Sequence, residues 1–130
     1  MASTWTSTLK IHALSHLAAG LRAVGLVNDL VSICENEAAA TRDAMRRVLM
    51  ADGILSGYGI FRPGDDVELL VHPRDPRTGL TYGVLPWIHA ISGDQLTRAE
   101  AAHHLELLRE HLWGPDGARL FDRPAAYRGG

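Results

Sequence analysis

Two kinds of apolar pattern alternate along the chain. Residues 9–24, LKIHALSHLAAGLRAV, spread Leu9, Ile11, Ala13, Leu14, Leu17, Ala18, Leu21 and Val24 over more than half of a helix drawn at about 100° per residue. His12, Ser15, His16, Ala19 and Arg22 fill the remaining arc, and Gly25 supplies a left-handed stop. A helix this broadly apolar expects neighbours on several sides. Residues 27–49 differ: Val27, Leu30, Val31, Cys34, Ala38, Thr41, Met45, Val48 and Leu49 make one narrow stripe. Asn28, Ser32, Glu35, Asn36, Arg42, Asp43, Arg46 and Arg47 lie off it, which predicts a surface helix with one buried face.

The alternation then repeats. Residues 81–92, TYGVLPWIHAIS, are apolar nearly all round, with Pro86 kinking the helix or setting its first turn. TRAEAAHHLELLREHLW opens with Thr97 and Glu100 at capping-box spacing, carries Ala101, Leu105, Leu108 and Leu112 on one side, and stops at Gly114 and Pro115. Within each pair the link is short. Between the pairs, residues 51–80 carry Asp-Gly, Pro-Gly, His-Pro and Asp-Pro breaks with no sustained period, and loops of that length are often functional.

Helices ordered buried, exposed, buried, exposed, with short links on one side and long ones on the other, suit concentric helix rings as in an (α/α) barrel. A four-helix bundle is the alternative. Four helices leave two all-round apolar ones short of partners, so the chain is expected either to self-associate or to be a slice of something longer. The ending GPDGARLFDRPAAYRGG favours the slice, because it reads as an ordered loop feeding another element.

Composition narrows the partners. With 13 basic and 15 acidic residues the formal net charge is −2, which argues against nucleic-acid binding. No window reaches the roughly 18 apolar residues of a membrane span, and the N-terminus makes a poor secretory signal. A single cysteine, Cys34, excludes an internal disulfide. Cytoplasm is the expected location.

Candidate chemistry is sparse. His12 and His16 have a legitimate two-ligand metal spacing, but no Glu stands beside either, and they read as histidines on a polar helix face. Glu100 and His103 have the spacing of di-metal bundles without the second copy such sites need, so His103, His104 and His111 are expected in solvent. Cys34 reads as a packed thiol and Asp65-Asp66 as a solvated turn. No metal or organic cofactor is expected.

The most suggestive stretch is LLVHPRDPRTGLTYG. It packs His72, Arg74, Asp75, Arg77, Thr78, Gly79 and Tyr82 into eleven positions, with the charge-assisted donors and close backbone approach an anion or sugar site needs. A rigid loop held by two prolines, with its arginines in solvent, explains the same residues. ARLFDRPAAYRGG adds Arg119, Asp122, Arg123 and Tyr127.

Together, STWTSTLKIHALSHLAAGLRAVG, MADGILSGYGIF, LLVHPRDPRTGLTYGVLPWIHAI and HLWGPDGARLFDRPAAYRGG resemble part of the catalytic domain of the inverting β-glucan phosphorylases. These are the cellobiose phosphorylase-like enzymes of glycoside hydrolase family 94, with the 1,2-β-oligoglucan phosphorylase branch nearest. The resemblance implies an all-α fold, residues 1–130 forming two consecutive helix pairs of an incomplete (α/α)6 barrel and residues 51–80 a long active-face loop. It implies reversible phosphorolysis of β-linked gluco-oligosaccharides, with inorganic phosphate as co-substrate and a carboxylic acid protonating the leaving oxygen. Carried over, His72, Asp75, Thr78 and Gly79 line the sugar and phosphate pocket, with Arg123 and Tyr127 contributing from the later loop.

The departures matter. The family's general-acid aspartate stands in a Trp-Asp-Asp type motif just before the segment matching STWT, and has no counterpart here. Arg74 replaces a small polar residue, and Trp87 follows Pro86 where a methionine is usual. No catalytic residue is therefore assigned, and the chain alone is expected to be inactive.

Overall fold

The computed structural model describes residues 1–26, 28–64 and 66–124. Its first helix, α1 (Thr4–Ala23), starts five residues before the periodic stretch, because Ser3 is extended and accepts from the Thr6 N–H at 3.3 Å. Gly25, at φ +76°, follows its end. α2 (Asp29–Leu49) is capped by Asn28, whose Oδ1 accepts from the Leu30 N–H at 3.1 Å. Asp29 in its first turn and Arg46 and Arg47 in its last suit the helix dipole. The two helices form an antiparallel hairpin, tied by Arg22–Glu35 and Lys10–Glu37 ion pairs.

The expected all-α barrel segment is not what forms. The fold is mixed α/β, with three small antiparallel sheets among the described residues. β1 (Ala2–Ser3) pairs with β4 (Tyr58–Phe61), which pairs with β5 (Val67–Leu70). β2 (Met50–Ala51) and β3 (Ile54–Leu55) make a hairpin around Asp52-Gly53, at φ 53° and 76°, the geometry for which Asp-Gly is the preferred pair. β6 (Trp113–Gly114) and β7 (Gly117–Ala118) make another. Strands of two to four residues are too short to show a period of two, so the stretch between the helix pairs looked patternless.

α3 (Val84–Ser92) packs against α1, and Pro86 sits in its first turn, where a missing N–H costs nothing. α4 (Arg98–Leu107) opens with the expected capping box and runs into a π-helical turn, Leu108–Leu112. Trp87 is the centrepiece of the core, 1% exposed among Ile11, Met45, Leu49, Leu55, Leu108 and Leu112. Its Nε1–H donates to the Leu55 carbonyl at 2.7 Å, so the largest buried side chain also satisfies its polar atom. Cys34 packs with Ala18 and Val31 in a smaller cluster.

α1 departs most from a helix covered on all sides. Its buried stripe is Thr4, Thr8, Ile11 and Ala18, while Trp5, Leu9 and Leu17 remain 40%, 43% and 47% exposed. Ile88 of α3 is likewise 40% exposed.

Candidate functional site

The stretch from Val71 to Gly83 leaves β5, crosses the surface and enters α3, and it is braced by its own side chains. Asp75 is the hub. Oδ2 accepts from the Val71 N–H at 2.7 Å and from the Thr78 hydroxyl, while Oδ1 accepts from the N–H groups of Arg77 and Thr78 at 2.7 and 2.9 Å. The Asp75 N–H donates to the His72 carbonyl at 2.8 Å. Burial alone would raise the Asp75 pKa, but the Thr78 hydroxyl and the three backbone donors outweigh it and hold the carboxyl below its ordinary value. The Asp75 side chain thus closes an Asx turn, with Gly79 at φ +70° accepting the left-handed backbone.

His72 is 1% exposed and wired inward. Its Nδ1 accepts from the Arg74 N–H at 3.1 Å, which leaves the proton on Nε2 to donate to the Ala51 carbonyl at 3.1 Å. Thr78 Oγ1 in turn accepts from the Leu80 N–H at 3.1 Å. His72, Asp75, Thr78 and Gly79 are thus brought together, but their polar atoms are engaged with one another and with backbone. The rigid-loop reading of this segment is what the geometry favours.

The groups facing solvent are the arginines. Arg74 Nε lies 2.7 Å from Asp52 Oδ2 in the β2–β3 turn, and Arg77 Nε lies 2.6 Å from Glu68 Oε1 on β5. Glu68 also accepts from Arg62 at 2.6 and 3.0 Å. Asp52 and Glu68 were not singled out from sequence, because nothing local marks a carboxylate whose partner is tens of positions away or across a hairpin.

The later loop docks on the same segment. Asp122 Oδ1 accepts from the N–H groups of Thr81 and Tyr82 at 2.9 and 3.1 Å, and Gly83 bridges to Phe121. Arg123 is exposed and bonds Asp122 Oδ2 at 3.1 Å. Burial would raise the Asp122 pKa as well. The Tyr82 and Thr81 amides and Arg123 reverse that and hold it low. Val71, Gly83, Leu120 and Phe121 meet around a small pocket of about 30 Å³. Tyr127, the remaining expected contributor, lies outside the described residues, as does Asp65.

Elsewhere two expectations change. His104 is fully buried, not solvated: Nδ1–H donates to the Glu100 carbonyl at 2.7 Å and Nε2 accepts from the Leu55 N–H at 3.0 Å. Glu100 is paired with Arg46, so it has no role in a di-metal site with His103. His111, half-buried, stacks on Tyr82 with ring centroids 4.4 Å apart. No group of three metal-ligating side chains exists among the described residues. None of their helices is long and apolar enough to cross a membrane.

No family model matches the chain. It is 28% identical over all 130 residues to a 1,2-beta-oligoglucan phosphorylase of Listeria innocua serovar 6a, and it spans only 11% of that relative's length. The chain is therefore distantly similar to a phosphorylase acting, by its name, on oligoglucans.

Proposed function

We propose that this chain is part of a carbohydrate-active protein that carries out phosphorolysis of β-linked gluco-oligosaccharides, and that the Val71–Gly83 segment and the Arg119–Arg123 loop belong to one wall of its sugar and phosphate site. The observation that carries this reading is the similarity to the oligoglucan phosphorylase, which covers all 130 residues and so includes both loops. In this reading the hub at Asp75 acts by shape. It fixes the loop so that Arg74 and Arg77 project from a rigid base, where a phosphate would compete with Asp52 and Glu68 for them.

The chain by itself is proposed to be inactive. A general acid needs a carboxyl whose pKa is raised toward neutrality. Among the described residues, the carboxyls whose ionisation is shifted, Asp75, Glu100 and Asp122, are all shifted down. The test is an amide NMR titration of the labelled chain with inorganic phosphate and with β-1,2-linked gluco-oligosaccharides. Saturable shifts at residues 72–79 and 119–123 are expected, and their absence at millimolar ligand removes the binding-wall reading. Release of glucose 1-phosphate by the chain alone would overturn its proposed inactivity.

A second reading, a self-associating helical module without catalysis, is favoured by the exposure of Trp5, Leu9 and Leu17 along α1. Sedimentation velocity over a range of concentrations separates the two: a defined oligomer with no ligand response supports the module.

A further inference from the structure

We infer that His12 and His16 form a bidentate site for a divalent first-row transition ion. Both side chains are exposed, on the flank of α1 beside its buried stripe, and their ring centroids lie 4.0 Å apart with planes inclined by 31°. His16 Nδ1 is 3.0 Å from the His12 carbonyl oxygen. A carbonyl can only accept, so the proton sits on Nδ1 and the His16 Nε2 lone pair is free. That backbone anchor is the outer contact that orients a metal-ligating histidine. Zinc–nitrogen bonds of about 2.0–2.1 Å place two tetrahedral ligands roughly 3.3 Å apart. Rings this close supply that bite once side-chain rotation turns their in-plane lone pairs toward a common point.

The two buried histidines make the contrast. His72 and His104 spend both ring nitrogens inside the fold, whereas His12 uses neither in a hydrogen bond among the described residues. Among the described residues no third ligand stands beside the pair, so the remaining coordination positions fall to water or to an added ligand. Two neutral imidazoles suit zinc, nickel and copper, with copper bound most tightly.

Zinc chloride is titrated calorimetrically into the intact chain and into His12→Ala and His16→Ala. Saturable binding is expected in the parent, weakened at least about tenfold in each variant, since even outer-contact losses at metal sites cost that much. Zinc should also raise the melting temperature of the parent and leave both variants unmoved. Both positions are exposed, and circular dichroism confirms that the variants keep their helix content. The inference is overturned if the parent shows no saturable binding, or if either variant binds as tightly as the parent. The site lies on α1 and stands or falls independently of any sugar or phosphate binding at the loop.

Discussion

Arg46 of α2 and Glu100 of α4 meet as a two-pronged ion pair, Nη1 2.9 Å from Oε2 and Nη2 2.5 Å from Oε1. The same carboxylate closes the α4 capping box, accepting from the Thr97 N–H and hydroxyl at 2.8 Å each. One side chain thus starts a helix and fastens it to another. The Arg46 bonds, opposed by burial and helped by Thr97, bring the Glu100 pKa down to about 2.

Replacing Glu100 with Ala should therefore lower unfolding free energy by about 2 kcal/mol, roughly half from the cap and half from the pair. In a double-mutant cycle with Arg46→Ala the coupling should approach 1 kcal/mol. Because the folded pKa is depressed, this stability is present above the ordinary carboxylate range and is lost as pH falls from about 4.5 toward about 2. Urea titrations at several pH values measure both effects.

His104 sets a second, separate pH response. Burial lowers its pKa, only partly offset by the bond to the Glu100 carbonyl. A histidine with a depressed folded pKa contributes stability that is complete above its unfolded value of about 6.5 and declines as pH falls below it. His104→Leu should lower stability by about 1–3 kcal/mol, chiefly through the orphaned, buried Leu55 N–H. It should also flatten the pH dependence between neutral and mildly acidic conditions.

Asp75→Ala removes the acceptor for three backbone amides and one hydroxyl, and should leave residues 72–79 open to proteolysis while α1 and α2 remain intact. Gly79→Ala should cost about 1 kcal/mol because φ there is +70°. Limited digestion with mass-spectrometric mapping, beside thermal melts, reads both.

Gly83 is a contact position: a Cβ there would lie 2.9 Å from Val71 Cγ1 and 3.4 Å from the Phe121 ring. Gly83→Ala should destabilise by about 1–3 kcal/mol through overpacking. Adding Val71→Ala removes the clashing methyl, so the double variant should be more stable than the sum of the single changes predicts.

The helices were legible because their signals are local: the stripe of α2, the Thr97–Glu100 box and the Gly25 stop lie within a few turns of the residues they control. Asp75 stood out for the same reason, in a polar run between prolines, but its hydrogen bonds brace its own loop. The strands were not, since each pairs through backbone across a gap and shows only two to four residues of pattern. Nor was the fate of α1, where a broadly apolar circumference does not reveal that Thr4 and Thr8 would be covered and Leu9 and Leu17 left outside. His104 looked like one of a solvated trio because its acceptor role depends on Leu55, 49 positions earlier.

The seat of Trp87 has an optical consequence. Its ring meets the His104 imidazole edge-on with centroids 5.1 Å apart, whereas Trp5 and Trp113 are 40% and 63% exposed. A protonated imidazole quenches indole emission, so the short-wavelength part of the fluorescence spectrum belongs to Trp87 and should dim as His104 takes up its proton. The molecule carries a gauge of its own interior acidity, readable without any added label.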